Sequence, residues 1–379
     1  MSFFFIVFFA LYSLMHLYAL LRARAAWPFG LAVVIPLTLF MLLMAAAPII
    51  VRMLENRGLE SAARFSAYAG YIWMGALFLF CSASAVVDIY RVSLRLAALL
   101  SGLDLAALVP TAKAAFVVPL CLSLAASLYG YCEALNIRKE QIIITSPKIP
   151  KEAGTLTIAQ ISDVHLGLIV RQERLARILA VVKEADPDIF VSTGDLVDGQ
   201  ISLLNGLSDL LGEIKPRYGK FAITGNHEFY AGLGQALDFT RRAGFTVLRG
   251  EAVTGVINIA GVEDPAARAL GLPPATTEKE LLASLPPEKF TLLLKHRPLV
   301  DPDAAGLFDL QLSGHVHKGQ IFPFSLITKA YYPVYAGYIQ LSGSAHLYVS
   351  RGTGTWGPPI RFLAPPEVTI IKLMHGEEK

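Results

Sequence analysis

Polar residues that could hold metal ions or transfer protons occur in five short clusters of this sequence. One cluster, "LSGHVHKGQ" at 312–320, carries two of the chain's eight histidines one residue apart. A single His-X-His is usually just a polar loop, so the other clusters decide its meaning. The five clusters, in chain order, contain Asp163 and His165, then Asp195 and Asp198, then Asn226, His227 and Glu228, then His296, and last His315 and His317.

These residue types suit the hydrolysis of a phosphate ester. The ester is an anion that repels hydroxide, and two divalent cations roughly 4 Å apart can neutralise it and activate a water. Holding two cations so close requires a bridging carboxylate, with imidazoles and oxygen donors completing each coordination shell. A further imidazole within hydrogen-bond reach of the leaving oxygen can donate a proton.

Each cluster directly follows an apolar run that predicts a strand. "TLTIAQ", "IFVS" and "KFAI" precede the first three clusters, and amphipathic helices are predicted over 171–188, 201–214 and 233–244. In α/β sheets the chemistry collects at the carboxyl ends of strands. Short strands dominate after residue 250. The sequence therefore predicts an α/β (α+β) domain with a two-layered β-sheet core flanked by helices.

The order of the clusters resembles that of the calcineurin-like metallophosphoesterases. Their signature is D-x-H, G-D-x-x-D, G-N-H-E or G-N-H-D, a single H, and G-H-x-H, and all five blocks stand in order between 155 and 373. "GDLVDG", "SGHVHKGQ" and "VSRGTGTWGPPIRF" look like the membrane-linked branch with the YkuE-like and YaeI-like bacterial proteins. Some relatives of this branch cleave the pyrophosphate of UDP-2,3-diacylglucosamine.

The resemblance implies a binuclear site with two divalent ions, which would be Mn, Fe or Zn. The first ion would be held by Asp163, His165 and His317, the second by Asn226, His296 and His315, and Asp195 would bridge them. Gly314, which has no side chain, would let the backbone of this loop come close to the site. His227 is then the catalytic residue, as a general acid or as a charge partner for the phosphate.

Other polar residues have two interpretations each. Asp198 is either a partner of a ligand histidine or a plain turn residue, and Glu228 is interpreted as supporting rather than catalytic. Arg171 and Lys318 could bind the substrate phosphate, although solvation at the surface is the favoured account for each. Asp264 and Arg351 recur in the resembling proteins, and structural roles are expected for both.

The first third of the chain has the composition of a membrane protein. Residues overall are 54% hydrophobic and only 17% charged, against about 25% charged in soluble domains. Uncharged runs cover 2–21, 28–51, 65–87 and 114–132. About 20 residues of helix cross a bilayer, so four transmembrane helices are predicted. The first run lacks the basic start and cleavage site of a signal peptide.

Charge and composition also predict how the chain is organised. The stretch 92–112 is broken by Arg95, Asp104 and Pro110, and predicts an interfacial helix or loop. We expect a membrane domain over 1–135, a linker over 136–154 and a metallophosphoesterase domain over 155–379. Lys and Arg near the spans number seven on the side of the C-terminal domain and five on the other. The positive-inside rule then places the catalytic domain in the cytoplasm, at the cell (inner) membrane.

Three hypotheses for function follow. The enzyme acts on a lipid-linked phosphate or pyrophosphate in the bilayer, or on soluble phosphoesters while the spans merely anchor it, or the domain regulates a membrane sensor. The aromatic segment 321–338, with Lys329 as its single charge, either dips into the lipid interface or packs on the domain's own sheet. The net charge of +3 and the absence of a basic block argue against nucleic acid as a partner.

Overall fold

The computed structural model describes residues 3–199, 201, 204, 206–272, 276–341 and 345–376. It divides into two compact units. The helical unit contains residues up to Cys132 together with Gly357–Phe362, and the catalytic unit contains Glu133–Trp356 and the residues from Leu363 onward.

Four long helices form the helical unit. They are α1 (Phe3–Ala26), α2 (Leu31–Asn56), α3 (Glu60–Ser101) and α4 (Ala114–Glu133). All four are long and apolar enough to cross a membrane, as the uncharged runs predicted. Many of their Leu, Ile and Val side chains are exposed, for example Leu14, Leu39 and Leu122. A helix surface of this kind suits contact with lipid rather than water.

Helix α3 is longer than the sequence suggested. The expected separate interfacial segment at 92–112 is wrong in its first half, because the helix continues without a break to Ser101. Arg95 is the only charged residue between 92 and 101, and no Gly or Pro interrupts these residues. The helix ends at Gly102, whose left-handed φ of 71° forms its C-cap.

Several polar side chains inside the helical unit contact one another. The Trp73 indole donates to His16 Nε2 at 2.9 Å, so His16 faces the bundle interior. Arg22 pairs with Asp88, which also accepts a 2.6 Å hydrogen bond from Tyr18. These contacts join α1 to α3 near the ends of the apolar runs.

Two six-stranded sheets form the centre of the catalytic unit. The first contains β1 (Arg138–Ser146), β2 (Thr155–Ile161), β3 (Ile189–Ser192), β4 (Lys220–Ala222), β5 (Thr246–Val247) and β12 (Glu367–His375). The second contains β6 (Glu251–Thr254), β7 (Asn258–Gly261), β8 (Thr291–Leu294), β9 (Leu310–Ser313), β10 (Gly337–Gln340) and β11 (His346–Val349). The strand orders are β1-β12-β2-β3-β4-β5 and β10-β11-β9-β8-β7-β6.

The strands that precede the polar clusters run parallel within each sheet. In the first sheet β2, β3, β4 and β5 are parallel neighbours, with Ile158 opposite Ile189 and Phe190 opposite Lys220. In the second sheet β7, β8 and β9 are parallel neighbours. The carboxyl ends of each parallel set therefore meet at one edge of their sheet.

The two sheets share one apolar core. Ile158 and Val191 of the first sheet lie in the same buried cluster as Leu292, Leu310 and Tyr348 of the second. This confirms the predicted two-layered sheet core. Continuous apolar runs are typical of parallel strands covered on both faces.

Short helices flank the sheets. They are α5 (Gln172–Ala185), α6 (Leu207–Gly212), α7 (Asn226–Ala231), α8 (Leu233–Arg242), α9 (Ala266–Ala269), α10 (Glu278–Ala283) and α11 (Phe324–Tyr331). The first and third predicted helices correspond to α5 and α8. The helix predicted over 201–214 corresponds in part to α6. Residues 202, 203 and 205 of that prediction lie outside the described residues.

Candidate metal centre

All seven residues predicted to bind metal follow the carboxyl ends of parallel strands. Asp163 and His165 follow β2, Asp195 follows β3, and Asn226 follows β4 as the first residue of α7. His296 follows β8, and the two histidines of the G-H-V-H loop follow β9. Since the sheets pack face to face, both contribute loops to a single site.

The first group of side chains contains Asp163, His165 and His317. The Nε2 atoms of the two histidines are 3.1 Å apart, and Asp163 Oδ1 lies 3.4 Å from His317 Nε2. All three side chains are buried. Their donor atoms converge closely enough to share one cation.

The second group contains Asp195, His296 and His315. Asp195 Oδ2 lies 3.2 Å from His296 Nε2, and that nitrogen lies 3.2 Å from His315 Nδ1. Asp195 Oδ2 also lies 3.9 Å from His165 Nε2 of the first group. The Asp195 carboxylate therefore connects the first group of side chains with the second, as expected for a bridging ligand.

Asn226 adds an amide oxygen to this site. Its side chain is buried, and its Oδ1 has no hydrogen-bond partner within the part of the chain that the structure describes. A buried acceptor without a partner is costly, by about 1–3 kcal/mol. Coordination of a cation would satisfy that oxygen.

Five residues of the site have a left-handed backbone conformation, which residues other than glycine rarely adopt. Among the described residues, nine that are not glycine have a positive φ, and five of them are Asp163, His165, Asp195, His315 and His317. Their φ angles lie between 47° and 72°. A left-handed conformation costs roughly 1–2 kcal/mol per residue, and such strain concentrates at functional sites.

Two glycines leave room for the ligands. A Cβ on Gly225 would lie 2.2 Å from Asp195 Oδ1 and 2.7 Å from His296 Nε2. A Cβ on Gly314 would lie 1.9 Å from Ser162 Oγ and 2.2 Å from Asp163 Oδ2. The backbone at Gly314 therefore lies close to the Asp163 carboxylate, as anticipated. Gly225 likewise lets its loop lie close to Asp195 and His296.

Hydrogen bonds orient the side chains of the site. His296 Nδ1 lies 2.8 Å from the Thr193 carbonyl oxygen, so Nδ1 carries a proton and Nε2 is the nitrogen that faces the other donor atoms. Asp163 accepts hydrogen bonds from the His315 backbone N–H and from the Ser162 hydroxyl, at 2.9 and 2.5 Å. Partners of this kind set the direction in which a ligand presents its donor atom.

Glu228 ties two of the loops together. Its carboxylate accepts hydrogen bonds from the backbone N–H groups of Asp195, Leu196, Val197 and Gly225, at 2.7 to 3.3 Å. Burial, together with the nearby charge of Asp195, raises the pKa of Glu228. These contacts agree with the supporting role expected for Glu228.

His227 and Asp198 form an ion pair beside the two clusters. His227 Nδ1 lies 2.6 Å from Asp198 Oδ1, and the same oxygen lies 3.7 Å from His165 Nδ1. His227 also donates its backbone N–H to Asp195 Oδ1 at 2.8 Å. Asp198 thus lies beside a predicted ligand histidine and the catalytic candidate together, which favours the partner role over the plain turn residue.

The electrostatics of the site favour positive charge. Burial opposes ionisation of Asp195, but the neighbouring charges of His296 and His227 hold its pKa well below the usual range. Burial also opposes protonation of these two histidines, yet the carboxylates of Asp195 and its neighbours outweigh it. The pKa of His296 rises to about 10 and that of His227 to about 9. Burial and the charge of His296 lower the pKa of His315 to about 3.

Aromatic rings form one rim of the site. The His227 ring contacts those of Tyr230 and Trp356, with centroids 5.4 and 5.8 Å apart. The Gln320 side chain holds the Trp356 backbone through two hydrogen bonds of 2.8 and 2.9 Å. Beside the second group of side chains, the Tyr332 ring lies 5.8 Å from the ring of His315, measured between centroids. Tyr332 lies in the aromatic segment 321–338, but the pattern of the sequence does not predict a place at the site for Tyr230 or Trp356, because aromatic residues are common in apolar cores.

The remaining predicted residues lie around the centre. Lys318 directly follows His317 and has a left-handed φ of 52°. Arg171 is the N-cap residue of α5. A phosphate contact by either side chain stays a prediction. Asp264 forms a two-point ion pair with Arg297 at 2.8 and 3.0 Å, and Arg351 pairs with Glu140 and Glu367. These pairs favour the structural roles expected for Asp264 and Arg351.

The donor set fits two divalent cations. It combines buried carboxylates, four imidazoles, of which that of His296 has one nitrogen held by a backbone carbonyl, and an amide oxygen without a partner among the described residues. Such mixed nitrogen and oxygen sites suit Mn, Fe and Zn. The carboxylates of Asp195 and its neighbours raise the pKa values of His296 and His227, and they would stabilise bound cations in the same way.

Comparison with known proteins identifies the family. A profile described as calcineurin-like phosphoesterase matches residues 156–319. An uncharacterized metallophosphoesterase of Aquifex aeolicus is 42% identical over 249 residues, which are 65% of this chain and 95% of that protein. The chain belongs to the calcineurin-like phosphoesterase family.

Two further relatives agree with this assignment. The uncharacterized metallophosphoesterase YkuE of Bacillus subtilis is 35% identical over 65% of this chain and 89% of that protein. A zebrafish (Danio rerio) protein named "transmembrane protein with metallophosphoesterase domain" is 31% identical, over 69% of this chain and 63% of its own length. As a calcineurin-like phosphoesterase, the chain is a metal-dependent hydrolase, and the resemblance to this family is confirmed.

Proposed function

We propose that this chain is a membrane-anchored phosphoesterase that hydrolyses a phosphoester or pyrophosphate bond in a lipid-linked substrate. The observation that carries the proposal is the convergence of two groups of carboxylate and imidazole side chains, from loops of both sheets, that the Asp195 carboxylate connects. The four apolar helices are the reason to place the substrate in a bilayer.

Two divalent ions would be held by separate sets of residues. Asp163, His165 and His317 would bind the first, Asn226, His296 and His315 would bind the second, and Asp195 would bind both. Mn, Fe and Zn are the candidates, since availability selects among them as much as affinity does. When bound, such a pair of ions neutralises the phosphate and lowers the pKa of a water between them.

His227 would donate a proton to the leaving oxygen. Asp198 contacts Nδ1 of its ring, so Nε2 is the nitrogen that would face the substrate. The nearby carboxylates of Asp195 and Asp198 raise the pKa of His227 to about 9, so the ring would carry this proton at neutral pH. Arg171 and Lys318 would contact the substrate phosphate.

The lipid-linked substrate class would include molecules such as UDP-2,3-diacylglucosamine. Its pyrophosphate suits the metal chemistry and its acyl chains keep it in the bilayer. We further propose that the protein lies in the cell (inner) membrane with several spans and that the catalytic unit faces the cytoplasm, as the distribution of Lys and Arg indicates.

The competing function is hydrolysis of soluble phosphoesters by the same centre, with the helices acting only as an anchor. A regulatory domain in a membrane sensor is less well supported, because each of the seven predicted ligand positions carries a suitable side chain.

Activity measurements on the detergent-purified protein would separate these functions. We would add Mn²⁺ and compare bis-p-nitrophenyl phosphate, p-nitrophenyl phosphate and UDP-2,3-diacylglucosamine, with the double variant Asp195→Ala, His315→Ala as the blank. UMP release from the lipid nucleotide, absent in the variant, supports the proposal. Turnover of the generic esters alone supports the soluble-substrate function, and no metal-dependent turnover favours the sensor.

A further inference from the structure

The stretch from the start of β9 to the residue before β12 differs from the preceding part of the catalytic unit in its charged residues. The chain contains 30 Asp and Glu residues, yet none lies between 310 and 366. Lys318, Lys329, Arg351 and Arg361 are the only Lys and Arg residues there. A surface built from this stretch would not repel an anionic partner.

One face of the segment 321–341 within this stretch packs on the catalytic unit. Tyr332, Val334, Tyr335, Ile339 and Leu341 pack against a buried cluster that contains Val316, Leu347 and Val349. Gly319 of the metal loop lies against the start of α11, since a Cβ on Gly319 would be 2.4 Å from Ser325 Cα. The inner face of the segment is therefore held in place beside the metal centre.

The other face of α11 and the residues before it are apolar and exposed. Leu326 is 62% exposed, Ile327 59% and Tyr331 81%, and Phe322 and Phe324 are exposed as well. Lys329 is the only charged residue of the helix. Exposed large apolar side chains are common singly, but a contiguous set marks an interaction surface.

We propose that this exposed face of α11 docks into the surface of an anionic lipid bilayer. The inference deepens the proposed function and rests on it, because it assumes that the chain is anchored in a membrane and takes its substrate from there. The helix has eight residues, which correspond to about 12 Å at 1.5 Å per residue. It can lie in the interface but cannot span the bilayer.

Lipid fits this face better than a protein partner does. Four helices that could cross a membrane keep lipid permanently within reach of the chain. Phe, Leu and Ile suit the acyl boundary, Tyr favours the depth of the headgroups, and a Lys on the same helix attracts anionic lipid. The absence of acidic residues from 310 to 366 removes the charges that an anionic surface would repel.

The C-terminal end of helix α11 lies close to the candidate metal centre. Tyr332 directly follows α11, and its ring lies 5.8 Å from that of His315. A phosphate headgroup held at the level of α11 would therefore be close to the second cluster. Docking would present lipid-linked phosphates to the site and give them an advantage over soluble esters.

Lipid contact can be read without any measurement of turnover. In the full-length protein with Cys81, Cys121 and Cys132 replaced by Ser, a single cysteine at Leu326→Cys carries an environment-sensitive fluorophore. The protein is reconstituted in vesicles of phosphatidylcholine and phosphatidylglycerol, with or without bromine on the acyl chains. We expect a blue-shifted emission at this position and strong quenching by the brominated lipid.

Leu270→Cys provides the matched control, since Leu270 is 61% exposed, is also a leucine and lies outside the acid-free stretch. Quenching at 326 that clearly exceeds quenching at 270 supports the proposal. Equal quenching at both positions, or none at 326, overturns it. A blue shift at 326 in lipid-free detergent that disappears on dilution would show that a second copy covers the face, which also overturns it.

A second variant separates this inference from the proposed function. Ile327→Asp places a charge on the docking face without touching a residue of the metal centre. Reduced quenching of the label at 326 with unchanged turnover of p-nitrophenyl phosphate supports docking. If turnover is absent in the parent protein while quenching persists, the proposed function fails and the docking inference stands.

Discussion

Asp198 Oδ1 lies 2.6 Å from His227 Nδ1 and 3.7 Å from His165 Nδ1. One carboxylate thus contacts both a predicted metal ligand and the predicted proton donor. This relationship makes the position of His227 depend on the same loop that carries Asp195. Changes at Asp198 should therefore affect proton transfer more than metal binding.

Replacement of His227 by Ala should lower kcat by roughly 10²–10⁴-fold for esters with poor leaving groups, because a general acid contributes about that much. The loss should be small for p-nitrophenyl esters, whose leaving group needs no proton. Asp198→Asn should follow the same pattern with a smaller loss. Turnover of a series of aryl and alkyl esters with increasing leaving-group pKa measures this.

Metal content provides the control for that series. The His227→Ala protein should retain its metal, as measured by elemental analysis. A uniform loss across all leaving groups, or loss of metal, would contradict the assignment of His227 as a proton donor.

Replacement of Asp195 by Ala should remove most bound metal and abolish turnover, because Asp195 Oδ2 is the atom that connects the two clusters. Elemental analysis after dialysis gives the metal content per chain. Asp238→Ala is the matched control, since the Asp238 side chain is exposed and lies on α8. Full metal content in the Asp195→Ala protein would show that this residue does not bridge the two ions.

Replacement of Gly225 by Ala should lower metal affinity by roughly 10–100-fold, the range seen when partners of metal ligands are changed. The new Cβ would lie 2.2 Å from Asp195 Oδ1 and force that carboxylate to move. Competition with a fluorescent chelator measures the affinity.

Gly212→Ala is the control for this steric effect, because a Cβ on Gly212, at the end of α6, meets no atom of the described residues within 4 Å. It should leave the affinity unchanged. Equal affinities of the two variants would mean that the loop around Gly225 adapts without displacing Asp195.

Metal binding should release protons at pH 8. The pKa of His296 is raised to about 10 by the carboxylate of Asp195, which outweighs burial, and Nε2 must lose its proton before it can bind a cation. Apparent metal affinity should therefore rise with pH from 7 to about 10. Calorimetric titration in buffers with different ionisation enthalpies counts the protons released.

The same shift sets the pH dependence of stability in the chelated protein. A histidine with a raised pKa contributes stability that is fully present below the unfolded value of 6.5 and lost as pH rises through about 10. The melting temperature in EDTA should fall from pH 7 to pH 10, and bound metal should reduce that dependence. A melting temperature that stays constant in EDTA would contradict the charged state of His296.

Much of the fold could be predicted from the sequence. The uncharged runs predicted α1 to α4, and the apolar runs before Asp163, Asp195 and Asn226 predicted β2, β3 and β4. Periodicity is a local property, so elements whose residues repeat at a regular spacing were recognisable. The extension of α3 to Ser101 does not follow from the charge pattern, because Arg95 interrupts the uncharged residues although no helix breaker precedes Gly102.

The five motifs in order, and hence the family, were determined by the sequence itself, because each ligand type stands at the end of a strand and strand ends are visible in the pattern. The tertiary structure alone decided which groups meet: Asp198 with His227, Glu228 with the N–H groups of two loops, and Tyr332 with His315. The exposure of Leu326 on α11 was also decided there. These relationships depend on how two sheets pack and how loops lie on them, and no spacing along the chain encodes the distance between side chains on different strands.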